Sequence, residues 1–210
     1  MSVFTPLFPL NLVAMPGERL NLHIFEPRYK QLVQDVMDTR ERTFGIPSYV
    51  LTRIEYGTMV KIMAIEKEYE DGRLDIRTQG LSIFRVSNFQ NPYADKLYAA
   101  GKLDFLEEIS DGSAQFQEEI RQGVITLYQM MGASPDAAFQ KDFHTFEIAH
   151  KVGLTLEQEY ELIQISSEAL RQKYLMAHLQ KALRVMQGIQ DTKERIKLNG
   201  HFKHFDPLNF

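Results

Sequence analysis

His144, Glu147 and His150 are the residues in this chain whose types and spacing come nearest to a metal site. They stand three apart, and on a helix turning about 100° per residue the outer two lie about 240° apart around the axis. They do not converge on one ion, so they read as a solvated helix face. His201 and His204 are better spaced but supply only two ligands, and they read as part of an aromatic tail that docks. The chain has no cysteine, which removes thiolate nucleophiles, disulfides and zinc–thiolate sites together. Carboxylate pairs such as Glu107-Glu108, Glu118-Glu119 and Asp35–Asp38 are adjacent or on exposed helix faces, whereas a hydrolytic pair must face across a cleft. No G-x-x-x-x-G-K-[ST] phosphate loop occurs in the 210 residues. The expectation is a chain with no catalytic residue, no metal ligand and no cofactor, and hence not an enzyme.

The organising stretch is Leu22-His23-Ile24-Phe25-Glu26-Pro27-Arg28-Tyr29-Lys30-Gln31-Leu32. An extended run stops at Glu26-Pro27 and a helical pattern starts at once. The residue before proline is pushed toward extended geometry, and proline suits a helix's first turn. Leu20, Leu22 and Ile24 alternate with Asn21, His23 and Phe25, and Phe25 is expected to be buried. A helix from Pro27 to about Asp38 carries Tyr29, Leu32, Val33, Val36 and Met37 on one face. Glu26 is positioned to accept bonds from the new helix's free N–H groups, Arg28 to pair locally, and His23 to serve as a hydrogen-bonded structural residue.

Upstream stands Pro6-Leu7-Phe8-Pro9-Leu10-Asn11-Leu12-Val13-Ala14-Met15-Pro16-Gly17-Glu18. In order, a PLFPLN-type strand, a PG-type turn and an LHIFEPRY-type strand–turn–helix resemble the N-terminal substrate-recognition domain of the ATP-dependent protease Lon. The resemblance covers the β-rich first half. It implies an α+β fold: a PUA-like β pseudo-barrel followed by a C-terminal helical bundle with a long last helix. No serine sits in the Gly-rich setting of the Lon peptidase motif, so the recognition part of the resemblance is present without its catalytic parts.

Residues 3 to 13 read as a strand interrupted by Pro6 and Pro9, which places it at a sheet edge or on a bulge. Thr43–Pro47 and Ser48–Ile54 read as two β segments joined near Pro47, Thr58–Tyr69 as a longer strand, and Asp71-Gly72 as a hairpin turn. Gly80 suggests a bulge before Leu81–Phe89 resumes, and Leu97–Glu107 offers a last strand. Near Asp111-Gly112-Ser113 the period changes from two to 3.6. This divides the chain into a β-rich unit over 1–110 and a helical unit over 111–210. Ser113 is the expected cap of a helix running to about Met131. Thr155–Gln158 is a capping box. A last helix opens at Ser166 or Ser167 and closes at Asn199-Gly200. Its apolar seam of Leu175, Leu179, Ala182, Met186, Ile189 and Ile196 requires a cover. Phe202, Phe205 and Phe210 give the tail an apolar character suited to docking.

Hydrophobic content of 44%, charge of 25% and a net charge of −4 suit a globular chain without a nucleic-acid footprint. The N-terminus lacks a basic leader pattern, and no apolar run reaches the roughly 20 residues a membrane helix needs. A cytoplasmic location follows as an expectation. The expected partners are unfolded or exposed apolar polypeptide segments, with Met15, Pro16, Leu20, Tyr49 and Tyr56 as contacts near turns and strand ends. The alternative is an interaction or oligomerisation module, including a homodimer, built on the long last helix and tail.

Overall fold

The computed structural model describes residues 4–50, 53–134 and 142–201. Strands β1 (Thr5–Leu7) and β2 (Arg19–Ile24) precede helix α1 (Pro27–Met37). Four strands follow: β3 (Thr43–Val50), β4 (Arg53–Glu68), β5 (Leu74–Gln90) and β6 (Ala99–Phe105). The remainder is helical: α2 (Ala114–Met130), α3 (Thr145–Ile148) continued by a 3-10 turn over Ala149–Lys151, α4 (Leu156–Ile163) and α5 (Glu168–His201). The α+β class, the pseudo-barrel and the long last helix match the expectation from sequence.

The sheet order is β2-β5-β4-β3-β1-β6, and β6 returns to pair with β5. That return closes a ring of β5, β4, β3, β1 and β6 and leaves β2 outside it. β5 serves both because it is 17 residues long. Its first part, Leu74–Gln79, pairs with β2, and its second part, from Phe84 onward, pairs with β6.

The first strand is therefore not an edge. Pro6 pairs with Ala100, and Leu7 pairs with Ala99 on one side and Gly45 on the other. Leu7 is fully buried, packed with Phe84, Met59 and Ala99, and this burial holds the strand inside the ring. The prolines shorten the strand instead of expelling it: beyond Leu7 the expected strand survives only as a bridge from Leu10 to Ser48. The segment around Pro47 is likewise one strand, β3, with its register shifted between Pro47 and Tyr49, as a residue without an N–H requires.

Gly80 does mark a bulge, since the β4–β5 register shifts between Thr58 and Val60 just after it. A Cβ at Gly80 would lie 2.1 Å from the Met15 carbonyl oxygen, so the β1–β2 turn sits on the bare glycine backbone. Gly17 N–H donates to the Gly80 carbonyl (3.0 Å) and Gly80 N–H to the Glu18 carbonyl (2.8 Å).

Besides the small cluster around Leu7 inside the ring, two larger apolar cores form among the described residues. One lies between α1 and the barrel and includes Ile24, Leu32, Val36, Phe44, Ile46 and Ile76. The other is shared: Val13, Met15, Val50 and Ile83 from the β half pack with Ile120, Val124, Ile148, Leu162, Leu175 and Leu179 from the helices. Ser113 Oγ accepts from Phe116 N–H at the start of α2, and Thr155 and Gln158 form the expected capping box. At the start of α5, Ser167 Oγ accepts from Leu170 N–H (3.2 Å).

Helix α5 has 34 residues, about 50 Å at 1.5 Å per residue. It runs through Asn199-Gly200 to His201 and does not close at that pair. Helix α2 accompanies it as far as Gln190, whose side chain donates to the Met130 carbonyl (3.2 Å). Residues 191–197 are all exposed, so the seam is covered over its first half only: Leu175 and Leu179 are buried, but Ile196 is 65% exposed. Phe202, His204, Phe205 and Phe210, expected to form a docking tail, lie outside the described residues.

Candidate functional site

An apolar concavity lies among the helices. Gly153, at φ +77°, ends the 3-10 turn and reverses the chain. The loop it makes is fastened on two sides. His178 on α5 donates through Nε2 to the Val152 carbonyl (2.9 Å), and Tyr128 on α2 donates its hydroxyl proton to the Lys151 carbonyl (3.0 Å). Between loop, α2 and α5 there remains a groove of about 550 Å³. Its floor is Leu127, Val152, Ala182 and Met186, with Val185 on the lip and Thr155, Gln158, His178 and Lys181 around the rim. An apolar floor inside a polar rim has the character of a surface suited to apolar side chains.

A smaller depression of about 360 Å³ opens at the barrel mouth, where Tyr29, Tyr49 and Phe89 meet Arg28, Asn11 and Asn91. Arg28 lies over the Tyr29 ring (4.5 Å) and pairs with Glu26 (2.8 Å). Glu26 does not cap α1 with its side chain. Instead its carbonyl accepts from Tyr29 and Lys30 N–H groups (3.0 Å each), which leaves the carboxylate for Arg28.

The five contact residues expected from sequence do not gather on one surface. Met15 is fully buried in the shared core and cannot present a contact. Spacing near a turn placed it outside, but the close approach to Gly80 turns it inward. Pro16 is half-buried beside it. Leu20 is half-buried against the barrel core. Tyr49 is 45% exposed at the barrel mouth. Tyr56 is half-buried where barrel meets helices: its N–H donates to the Tyr160 hydroxyl (3.2 Å), and the two rings meet edge to face. Phe25, expected in the core, is 58% exposed. Alternation puts Ile24 inward and Phe25 outward, stacked on His23.

His144, Glu147 and His150 are exposed, as expected of a solvated helix face, and His150 also has two acidic partners. Its Nδ1 lies 2.7 Å from Glu159 and its Nε2 3.2 Å from Glu18, so it joins α4 to the β1–β2 turn. The bond to Glu18, opposed by partial burial and aided by Glu159, pushes its pKa up to about 9. Among the described residues no group of three histidine or carboxylate side chains is arranged to hold a metal, and no helix is long and apolar enough to cross a membrane.

The sequence pattern of the ATP-dependent protease La (LON) substrate-binding domain matches residues 5–197. The chain belongs to this Lon substrate-binding domain family. Among solved structures it is similar to the Lon N-terminal domain protein from Xanthomonas campestris, at 28% identity and a TM-score of 0.65 over 83% of this chain and 98% of that one. It is also similar in fold to the N-terminal domain of the Mycobacterium avium complex Lon protease, at 10% identity and a TM-score of 0.61 over 85% of this chain and 98% of that one.

One polar centre of this Lon-family domain escaped the sequence reading. Arg171 is 1% exposed, yet its guanidinium meets Glu168 (2.8 Å), Glu108 (3.1 Å), and the carbonyls of Ile165 (2.8 Å) and Ser166 (3.2 Å), with the Phe146 ring 4.3 Å away. Glu168 in turn accepts from the Thr145 backbone and hydroxyl. The signal was present: Arg171 falls four residues before Leu175 and eight before Leu179, on the buried row of α5.

Proposed function

We propose that this Lon-family protein is a non-catalytic polypeptide-binding module, which holds exposed apolar segments of other chains in the groove between α2, α5 and the loop at Gly153. The observation that carries the reading is the apolar floor of Leu127, Val152, Ala182 and Met186 left open on a folded surface. It agrees with the substrate-binding description of the family, and the sequence supplies no phosphate loop for ATP. Titration with fluorescently labelled, unfolded casein tests it. Saturable binding is expected, and Val185→Asp, which puts a charge on the lip of the groove, should weaken it about tenfold without lowering the melting temperature. Unchanged binding by that variant would overturn the placement. The protein should hydrolyse neither ATP nor casein above a buffer control; activity that follows the protein peak through purification would refute the non-catalytic reading.

A second reading, self-association, is favoured by Val185, Ile189 and Ile196, which are 56%, 42% and 65% exposed along the outer half of α5. Sedimentation equilibrium decides it, since a dimer would have twice the mass of the chain.

A further inference from the structure

We infer that β2 is a docking edge for an extended peptide, which adds to the sheet as a further strand and alternates apolar with acidic residues. β2 pairs with β5 alone, through six consecutive residue pairs without a register shift. Donation from Gly80 N–H to the Glu18 carbonyl fixes the phase of this ladder. Residues 20, 22 and 24 turn their backbone groups to β5, and Arg19, Asn21 and His23 turn theirs away. Among the described residues no other backbone group pairs with those three.

Free strand edges are ordinarily blunted by proline, lysine or bulges, and this protein uses such devices elsewhere. The outer part of β4, beyond its pairing with β3, has two register shifts, at Ile62/Ala64 and Ile65/Lys67, and carries Glu66, Lys67 and Glu68. β2 has no proline, lysine or bulge between Arg19 and Ile24. A regular edge of six residues offers an incoming backbone alternate donors and acceptors at strand spacing.

The side chains define the partner. Leu20 and Leu22 are half-buried at the border of the barrel core, so apolar residues on one face of an added strand would complete their burial. On the opposite face, Arg19 and Lys61 flank Gln79 in one row across the sheet. Both are exposed, and neither has an ion-pair partner among the described residues. Acidic residues on the other face of the added strand fit that row. The inference rests on the reading that this protein binds polypeptides, but on a surface separate from the helical groove.

The probe is a fluorescein-labelled peptide of alternating valine and glutamate, about one strand in length. Binding is expected to be saturable and accompanied by protection of the Asn21 and His23 amides from hydrogen exchange. Asn21→Pro removes an outward N–H while sparing the bonds to β5, and should weaken binding at least tenfold; Asn21→Ala, which keeps the N–H, should bind within about twofold of the parent. The same peptide N-methylated at alternate residues tests the edge on the unaltered protein and should lose at least tenfold in affinity. Binding that is absent, or insensitive both to Asn21→Pro and to N-methylation, overturns the inference. Val185→Asp separates the two surfaces: it should leave this peptide's binding unchanged while weakening that of unfolded casein. Casein binding at the groove without peptide binding at β2 would refute the edge alone.

Discussion

Arg171 holds a positive charge at 1% exposure, and its two carboxylate and two carbonyl partners make that possible. Removing one member of a buried, hydrogen-bonded pair strands the other, at a cost of about 3–5 kcal/mol. Arg171→Ala should therefore lower the melting temperature more than any single apolar truncation on α5. Arg171→Lys should recover only part, because an ammonium cannot reach Glu168, Glu108 and both carbonyls together. His150 sets a pH dependence. Its folded pKa, about 9, stands above the ordinary value of 6.5, so its contribution is fully present below about pH 6.5 and is lost as pH rises through about 9. About a third of the side chain is exposed, so solvent screening limits the effect to about 1 kcal/mol. Thermal melts between pH 6 and 10 should show this loss, and His150→Gln should flatten it. Phe25→Asp, at a position 58% exposed, should shift the melt only slightly, as should Pro27→Ala. Residue types alone misplaced Phe25 and Met15 because each lies one step from a turn, where the turn's geometry decides which way a side chain points. The helix caps were legible because a cap is a local bond between residues three apart.

At the scale of elements, the hairpin at Asp71-Gly72, the bulge after Gly80 and the extents of α1 and α2 all follow from short-range chemistry. Strand partners do not, and β1 shows why: nothing within residues 5–7 reveals that β3 and β6 flank it. Gly80 is the element-scale contact most open to test. A methyl group there would sit 2.1 Å from the Met15 carbonyl oxygen, a backbone atom that cannot swing aside. Gly80→Ala should destabilise by several kcal/mol, about the range of severe single substitutions, and chemical denaturation measures it. Gly17 and Gly132 have nothing within 4 Å of an added Cβ but carry positive φ, so alanine there should cost only about 1 kcal/mol from backbone strain. The groove was not legible in the sequence, because its floor draws on α2, α5 and the residue before Gly153, which only folding brings together.

Across the whole molecule, the boundary near residue 110 marks a change of secondary structure. The shared core, however, takes Val13, Met15, Val50 and Ile83 from one side of it and Ile120, Val124, Leu162 and Leu175 from the other. The 210-residue chain should unfold in one calorimetric transition, and a fragment of residues 1–110 should aggregate, since those four apolar residues would face water. Two separate transitions would show that the halves are energetically independent. The closed ring also bears on how the chain is made. Thr5 pairs with Gly101, so the first strand leaves the ribosome long before its second neighbour exists. At about 5–20 residues per second of synthesis, that interval is roughly 5–20 s. The barrel cannot close during it, and Leu7, whose burial depends on that closure, must wait as an exposed apolar residue on a nascent chain.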